Sequence, residues 1–227
     1  GTFEHHITSD IAIAAWNYYR VSGDRKWLET RGYELLMEIA EFWVSRVSQN
    51  SDGSYSIRNV VGANEFAHNV DDNAFTNGSA ITCLRFAVQA ASVLGKEAPP
   101  EWKKVADNLV ICRFPDGTTM EHSRYDGERI KQADANLLAY PLEIITDPEA
   151  IRLDLKYYEP KLAVEGPAMS KSVLALLYAR LGDPETAYRL FRESYMPNKR
   201  PPFGALAETA LSNNPYFVTG AGGMLQT

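Results

Sequence analysis

The sequence predicts an all-α fold arranged as a toroid of helix hairpins, and three observations carry that reading. Apolar residues recur with a period near 3.6 along most of the chain. The periodic runs come in pairs, opened by aspartate or proline and closed by glycine. Polar segments rich in carboxylates and amides fall in alternate connections. No fixed internal period is visible, which disfavours a solenoid of the common repeat types.

From Ser9 to about Val21, Ile11, Ala14, Ala15, Tyr18 and Tyr19 recur at helical spacing, and Gly23 stops the run as a C-cap would. Asp24 is placed as N-cap of a long second helix marked by Trp27, Leu28, Leu35, Leu36, Ile39, Phe42, Trp43 and Val47, with Gly32 a weak point inside it. The Ser22-Gly23-Asp24 turn makes these two an antiparallel pair. After the Asp52-Gly53 turn, alternation over 54–61 predicts a short strand or extended arm. A third helix is expected over 75–94, with Asp71 or Asp72 as N-cap and Gly95 closing it. Pro99-Pro100 opens a fourth, to about Leu109.

Residues 111–130 hold two turns, Pro115-Asp116-Gly117 and Tyr125-Asp126-Gly127, and read as an irregular insertion of the kind that lines a site. Helix five is predicted over 133–143, although it must negotiate Pro141. Helix six covers 148–157, helix seven runs from Gly166-Pro167 to Gly182, and Pro184 opens helix eight. An extended loop over 203–209 and a short helix over 216–225, with Gly220, Gly222 and Gly223 closely packed, complete the chain.

Composition narrows the partners. A formal charge of −6 and a pI near 5.3 lack the clustered cations that phosphate backbones require, so no nucleic acid is expected. With 45% apolar and 11% aromatic residues the chain can bury a sizeable core. No run approaches the length of a membrane helix, so no membrane partner is expected. Cys83 and Cys112 form no disulfide framework and are read as buried thiols; no His, Asp and Glu spacing suggests a metal, and no cofactor motif is present.

The chemistry concentrates between residues 60 and 78, where Gly62 ends an apolar run and a loop gathers Glu65, His68, Asn69, Asp71, Asp72, Asn73 and Asn77 beside Phe66 and Phe75. Carboxylates and amides grip sugar hydroxyls while aromatic faces cover the apolar side of a ring. A neutral carbohydrate is therefore the expected partner. In so apolar a setting the carboxyl of Glu65 is expected to have its pKa raised, as a general acid needs. The competing reading is a capped surface loop.

Gly62-Ala-Asn-Glu65-Phe, followed by Asn69-Val-Asp71-Asp-Asn73-Ala-Phe-Thr76-Asn77, resembles the acid-catalyst loop of glycoside hydrolase family 65, commonly Gly-Pro-Asp-Glu-Phe/Tyr and then Asn-Val-Asn/Asp-Asn-Ala-Tyr-Thr-Asn. Glu4-His-His6-Ile-Thr-Ser-Asp10, Ile130-Lys131-Gln132-Ala133-Asp134, and Tyr158-Glu159-Pro160 with Gly166-Pro167-Ala168-Met169 agree in order and approximate spacing. The resemblance implies an (α/α)6 barrel acting on α-linked glucose disaccharides or glucosyl groups. It also implies that these residues are the C-terminal portion of one barrel, with an N-terminal β-sandwich, a linker and the first barrel helices upstream. Roughly eight or nine helices are predicted here against the twelve of a closed barrel. Such a portion would leave apolar wall uncovered, so self-association or contact with the remaining barrel is expected.

Hydrolysis needs two carboxyls. The resemblance makes Glu65 the general acid. It makes Glu208 the general base, because Phe203-Gly-Ala-Leu-Ala-Glu208-Thr looks like the segment that carries a Glu in a Trp-Thr-Glu context in the hydrolase branch, with Leu206 and Ala207 in place of Trp and Thr. Lys131 and Gln132 match the family's sugar-contacting Lys-Gln pair, and His6 and His68 are secondary candidates for sugar contacts; His122 reads equally well as a loop histidine. The phosphorylase branch is the alternative within the family, but acidic Glu165 stands where an anion site would be needed. A non-catalytic sugar-binding or scaffold module is the alternative from another class.

Overall fold

The computed structural model describes residues 3–212, 214 and 216–227, most of them helical, in agreement with the all-α expectation. They form two compact units. Unit 1 takes Gly1–Ala63, His68–Cys112 and Met120–Arg124; unit 2 takes Asn64–Ala67, Arg113–Thr119 and Tyr125–Thr227.

In unit 1, α1 (Ile7–Ser22) ends at Gly23, whose φ of 63° lets its N–H reach the Tyr19 carbonyl at 2.8 Å. Asp24 then caps α2 (Arg25–Trp27), its Oδ1 accepting from Trp27 N at 2.8 Å. A π-helical turn, Leu28–Gly32, joins α2 to α3 (Tyr33–Arg46), so the predicted long helix forms with its weak point widened into a bulge. Glycine is needed there: a Cβ at Gly32 would come within 2.5 Å of the Trp27 ring.

Helix α4 (Ala74–Leu94) is the centre of the unit, with α1, α3 and α5 (Pro100–Asn108) packed on it. Every residue from Ala74 to Leu84 is buried, the signature of a helix without a solvent face. Fully buried Leu36, Ala40 and Trp43 from α3, Leu84 and Ala87 from α4, and Val105 from α5 make the core, each large side chain contributing about 1.5–3 kcal/mol of burial.

The N-cap of α4 is Asn73, whose Oδ1 accepts from Thr76 N at 2.8 Å, and not Asp71 or Asp72. Both aspartates are committed to the arm before the helix. Asp71 accepts from Asn59 N at 2.9 Å, while Asp72 accepts from Ser56 Oγ at 3.0 Å and Asn77 Nδ2 at 3.2 Å. Burial pushes the Asp72 carboxyl above the usual carboxylate range. The predicted strand over 54–61 shortens to β2 (Tyr55–Ser56), paired antiparallel with β1 (Ser48–Gln49), plus an isolated Val60–Val70 bridge.

In unit 2, α6 (Pro148–Tyr158) starts at an Asp147 cap. Helices α7 (Met169–Arg180) and α8 (Pro184–Tyr195) form a hairpin, with Gly182 in the left-handed region and Asp183 capping α8. Helix α9 (Val218–Gln226) packs on both; at Gly223 a Cβ would press to 3.3 Å from Met169, so close approach is what the glycine provides. Helix five is the main departure. Only a 3-10 turn, Ala135–Leu138, forms, because Pro141 supplies no N–H and a helix through it would press its ring on the Leu137 carbonyl. The 203–209 stretch is no plain loop: β3 (Lys199–Arg200) and β4 (Ala205–Leu206) pair antiparallel, Lys199 opposite Leu206. Part of the irregular insertion is anchored here, Thr119 donating from N and Oγ1 to Asp154 at 2.8 Å each and accepting from the Tyr158 hydroxyl at 2.6 Å through its carbonyl.

Both cysteines are free; Cys83 is buried, as expected, but Cys112 is only half-buried. Among the described residues no helix is long and apolar enough to cross a membrane.

Candidate active site

Glu65 belongs to unit 2, together with Lys131, Gln132 and Glu208, while His6 and His68 belong to unit 1. The short segment Asn64–Ala67 is set by its neighbours rather than by secondary structure. Asn64, 2% exposed, accepts through Oδ1 from Lys131 N at 2.8 Å and Phe66 N at 3.2 Å, and its own N–H points to Oδ2 of fully buried Asp134 at 3.3 Å. Glu65 N donates to Gln132 Oε1 at 3.1 Å. One asparagine and one glutamine thus fix the backbone on both sides of the acid.

The partner strip, residues 130–134, is held just as tightly on its other side. Ile130 pairs with Leu162, with N–H to Lys161 O at 3.0 Å and carbonyl to Ala163 N at 2.8 Å. Ala133 N donates to Ser170 Oγ at 2.9 Å. Gly166 lies against the Lys131 carbonyl so closely that a Cβ would meet it at 2.4 Å.

The side chains then meet: Lys131 Nζ donates to Glu65 Oε2 in a half-exposed ion pair. This corrects the expectation of a raised pKa. The Lys131 ammonium bonds the carboxylate directly, outweighs the opposing desolvation, and together with Gln132 holds Glu65 below the usual carboxylate range. Proximity of a cation defeats the apolar setting. Phe66 is 48% exposed and available to a ring, whereas Phe75 is buried against His6 in unit 1, ring centroids 5.1 Å apart. His6 is largely buried, 3.9 Å from Asp10, and His68 is exposed.

Glu208 follows β4. Its carbonyl accepts from Asn198 Nδ2 at 3.0 Å and Ala168 N at 3.4 Å, and among the described residues its half-buried carboxylate accepts no hydrogen bond, leaving it available to water. A cavity of about 160 Å³ is lined by Lys131, Ser170, Lys171, Glu193, Asn198 and Ala210 among others; it touches the Glu65 partner and the Glu208 loop, while neither Glu65 nor Glu208 itself is among its lining residues. Glu165 is ion-paired to Arg129 at 2.7 Å. Its charge is compensated, which removes much of the repulsion expected against an anion. Among the described residues no group of His, Cys, Asp and Glu could hold a metal. Sequence reasoning missed Asn64, Asp134 and Ser170; Asn64 could have been found from its place beside Glu65, whereas Ser170 acts through a tertiary contact that spacing does not announce.

A profile of the glycosyl hydrolase family 65 central catalytic domain matches residues 1–113 and 116–198, a span that contains Glu65, Lys131 and Gln132 but stops short of Glu208. Kojibiose hydrolase of Flavobacterium johnsoniae is 52% identical over 227 residues, covering 100% of this chain and 33% of that protein. Protein-glucosylgalactosylhydroxylysine glucosidase of Danio rerio is 36% identical over 230 residues, covering 98% and 35%. The chain therefore spans about a third of the length of the curated relatives it matches. Among solved structures, one described as a candidate kojibiose phosphorylase from the human microbiome superposes with a TM-score of 0.70 at 19% identity, over 82% of this chain and 34% of that one.

Proposed function

Because the chain belongs to glycosyl hydrolase family 65, we propose that it is part of an inverting α-glucoside hydrolase acting on α-linked glucose disaccharides or glucosyl groups. The observation that carries the reading is Glu65, locked by Gln132 and Asn64 and facing Lys131. Relatives named as hydrolases and aligned along the whole chain support hydrolysis over phosphorolysis. The fold likeness supports placing these helices in an (α/α)6 barrel, of which residues 1–227 are the C-terminal portion.

In this reading Glu65 protonates the glycosidic oxygen while Glu208 takes a proton from a water that attacks the anomeric carbon from the opposite face. The water must fit beside Glu208, so the two carboxyls stand about 6.5–9.5 Å apart across the bound sugar, against about 5–5.5 Å for retention. Glu65 must first acquire a proton that Lys131 opposes. An entering glucosyl ring supplies hydroxyl acceptors for the ammonium, and turning Lys131 onto them lifts the restraint on Glu65 as water leaves the pocket. Gln132 adds a further donor and acceptor, with His6 and His68 as outlying contacts.

Incubation with kojibiose tests this. Proton NMR in the first minutes should show β-glucose, formed at a rate indifferent to phosphate. Glucose 1-phosphate formed only with phosphate would convert the assignment to a phosphorylase, and α-glucose appearing first would remove Glu208 from the base's role.

A further inference from the structure

Residues 207–212 carry Glu208 but contain no regular structure that could hold it. Their carbonyls converge instead on two side chains. Asn198, 4% exposed, donates through Nδ2 to the carbonyls of Ala207 and Glu208, both at 3.0 Å, and its backbone carbonyl accepts from Ala207 N at 2.9 Å. Arg200 extends the same grip. Its Nη2 donates to the carbonyls of Thr209 at 3.3 Å, Ala210 at 2.7 Å and Ser212 at 2.9 Å, and its Nε reaches Ser212 again at 3.2 Å. Its Nη1 donates to Pro197 and Lys199 carbonyls at 3.0 Å each, which ties the guanidinium to the chain beside Asn198.

A guanidinium presents its donors in one rigid plane, so a loop with three carbonyls on that plane has little freedom to slide. Asn198 and Ala210 also line the cavity that Lys131 enters. A shift of this loop would therefore move Glu208 relative to the acid side of the site. We propose that Asn198 and Arg200 are the positioning residues of the base: they act through the backbone of its loop and fix where the Glu208 carboxylate holds its water. This rests on Glu208 being the base.

The test uses the protein with kojibiose and four variants: Glu208→Ala, Arg200→Lys, Arg200→Met and Asn198→Ser. Arg200→Lys keeps the charge and loses the planar fork. A misplaced base costs rate more than binding, so kcat should fall about 100-fold while KM stays within a few-fold, for an error near 1 Å. Azide separates misplacement from general damage. As an anion it attacks the anomeric carbon without a base, while the glycosidic oxygen leaves with the Glu65 proton, and the product is β-glucosyl azide. Azide should restore turnover in Glu208→Ala and, in part, in Arg200→Lys and Asn198→Ser, with Arg200→Met the most impaired. Full activity of Glu208→Ala, or its impairment without azide rescue, overturns the base assignment. An impaired and rescued Glu208→Ala beside unchanged kcat in the Arg200 and Asn198 variants overturns the positioning role alone, as does loss of kcat without rescue. Where Arg200→Lys melts at the assay temperature, Asn198→Ser decides by the same readouts.

Discussion

Gly166→Ala places one methyl group against the strip that bears Lys131 and Gln132, and the outcome can be worked from distances. The added Cβ would stand 2.4 Å from the Lys131 carbonyl oxygen and 2.9 Å from that of Ala163, where ordinary contact begins at 3.4 Å. Both obstacles are backbone, so no rotamer change relieves them. The Lys131 carbonyl must retreat by roughly 1 Å, and the neighbouring bonds, Ala163 N to Ile130 O at 2.8 Å and Ala133 N to Ser170 Oγ at 2.9 Å, oppose the move. A 1 Å error in a group that orients the acid costs about 100-fold in kcat/KM, near 2.7 kcal/mol of transition-state stabilisation. Overpacking should also lower stability by about 1–3 kcal/mol. Glucose release from kojibiose gives the first number and urea denaturation the second. Gly222→Ala, where a Cβ meets nothing within 4 Å, is the control: it should leave activity unchanged and, lying inside α9, raise stability by about 0.5–1 kcal/mol. A Gly166→Ala protein with full activity and stability would show that the strip does not need its observed position.

Lys131→Met removes the first cause of the lowered Glu65 pKa, so the basic limb of kcat/KM against pH, where the acid loses its proton, should move to higher pH even as affinity weakens; an unmoved limb would separate Glu65 from that ionisation. The same pair has a small stability signature. With a depressed folded-state pKa, its contribution is present above the unfolded carboxylate pKa and lost as pH falls through the folded one, and half-exposed as it is it amounts to about 0.2–1 kcal/mol, checked by comparing Lys131→Met with the unmodified protein in urea at pH 7 and at pH 3. Asn73→Ala deprives Thr76 N of its acceptor and the Glu121 carbonyl of a donor at 3.2 Å, and should cost about 1–2 kcal/mol, read as a fall of several degrees in Tm. The Cys83 thiol, pushed up to about 12 by burial, should stay unlabelled by a disulfide reagent at pH 8 until the protein unfolds, with Cys112 reacting first.

The helices were legible because their signals are local. Gly23, Asp24 and Gly95 stop or cap where the sequence places them, and Pro148 and Pro184 open their helices as expected, since a left-handed residue, an N-cap or an N1 proline acts on its own turn. Failures came where tertiary partners compete. Asp72 has the chemistry of a cap but is drawn to Ser56 and Asn77. Residues 133–143 have helical periodicity, yet Pro141 can make no i→i−4 bond and its ring would crowd the Leu137 carbonyl, so a single 3-10 turn forms.

The same contrast explains the site. Lys131 and Glu65 were both singled out, yet they lie 66 residues apart, and that they face each other is a property of the fold. Judged alone, an apolar loop raises a carboxyl; judged beside an ammonium, it lowers one, because a direct charge-assisted bond outweighs partial desolvation. The reversal also suits a proton donor. A general acid that is ionised before substrate arrives, and restored to its proton when sugar hydroxyls draw the lysine away, has its acidity coupled to occupancy. The choice between water and phosphate then cannot turn on Glu165, whose charge Arg129 already answers. In the proposed reading it turns on Glu208, whose loop is gripped by Asn198 and Arg200 and reaches the hollow beside Lys131 through Ala210. A base needs a fixed place more than a phosphate does, since it must hold one water in line with one carbon.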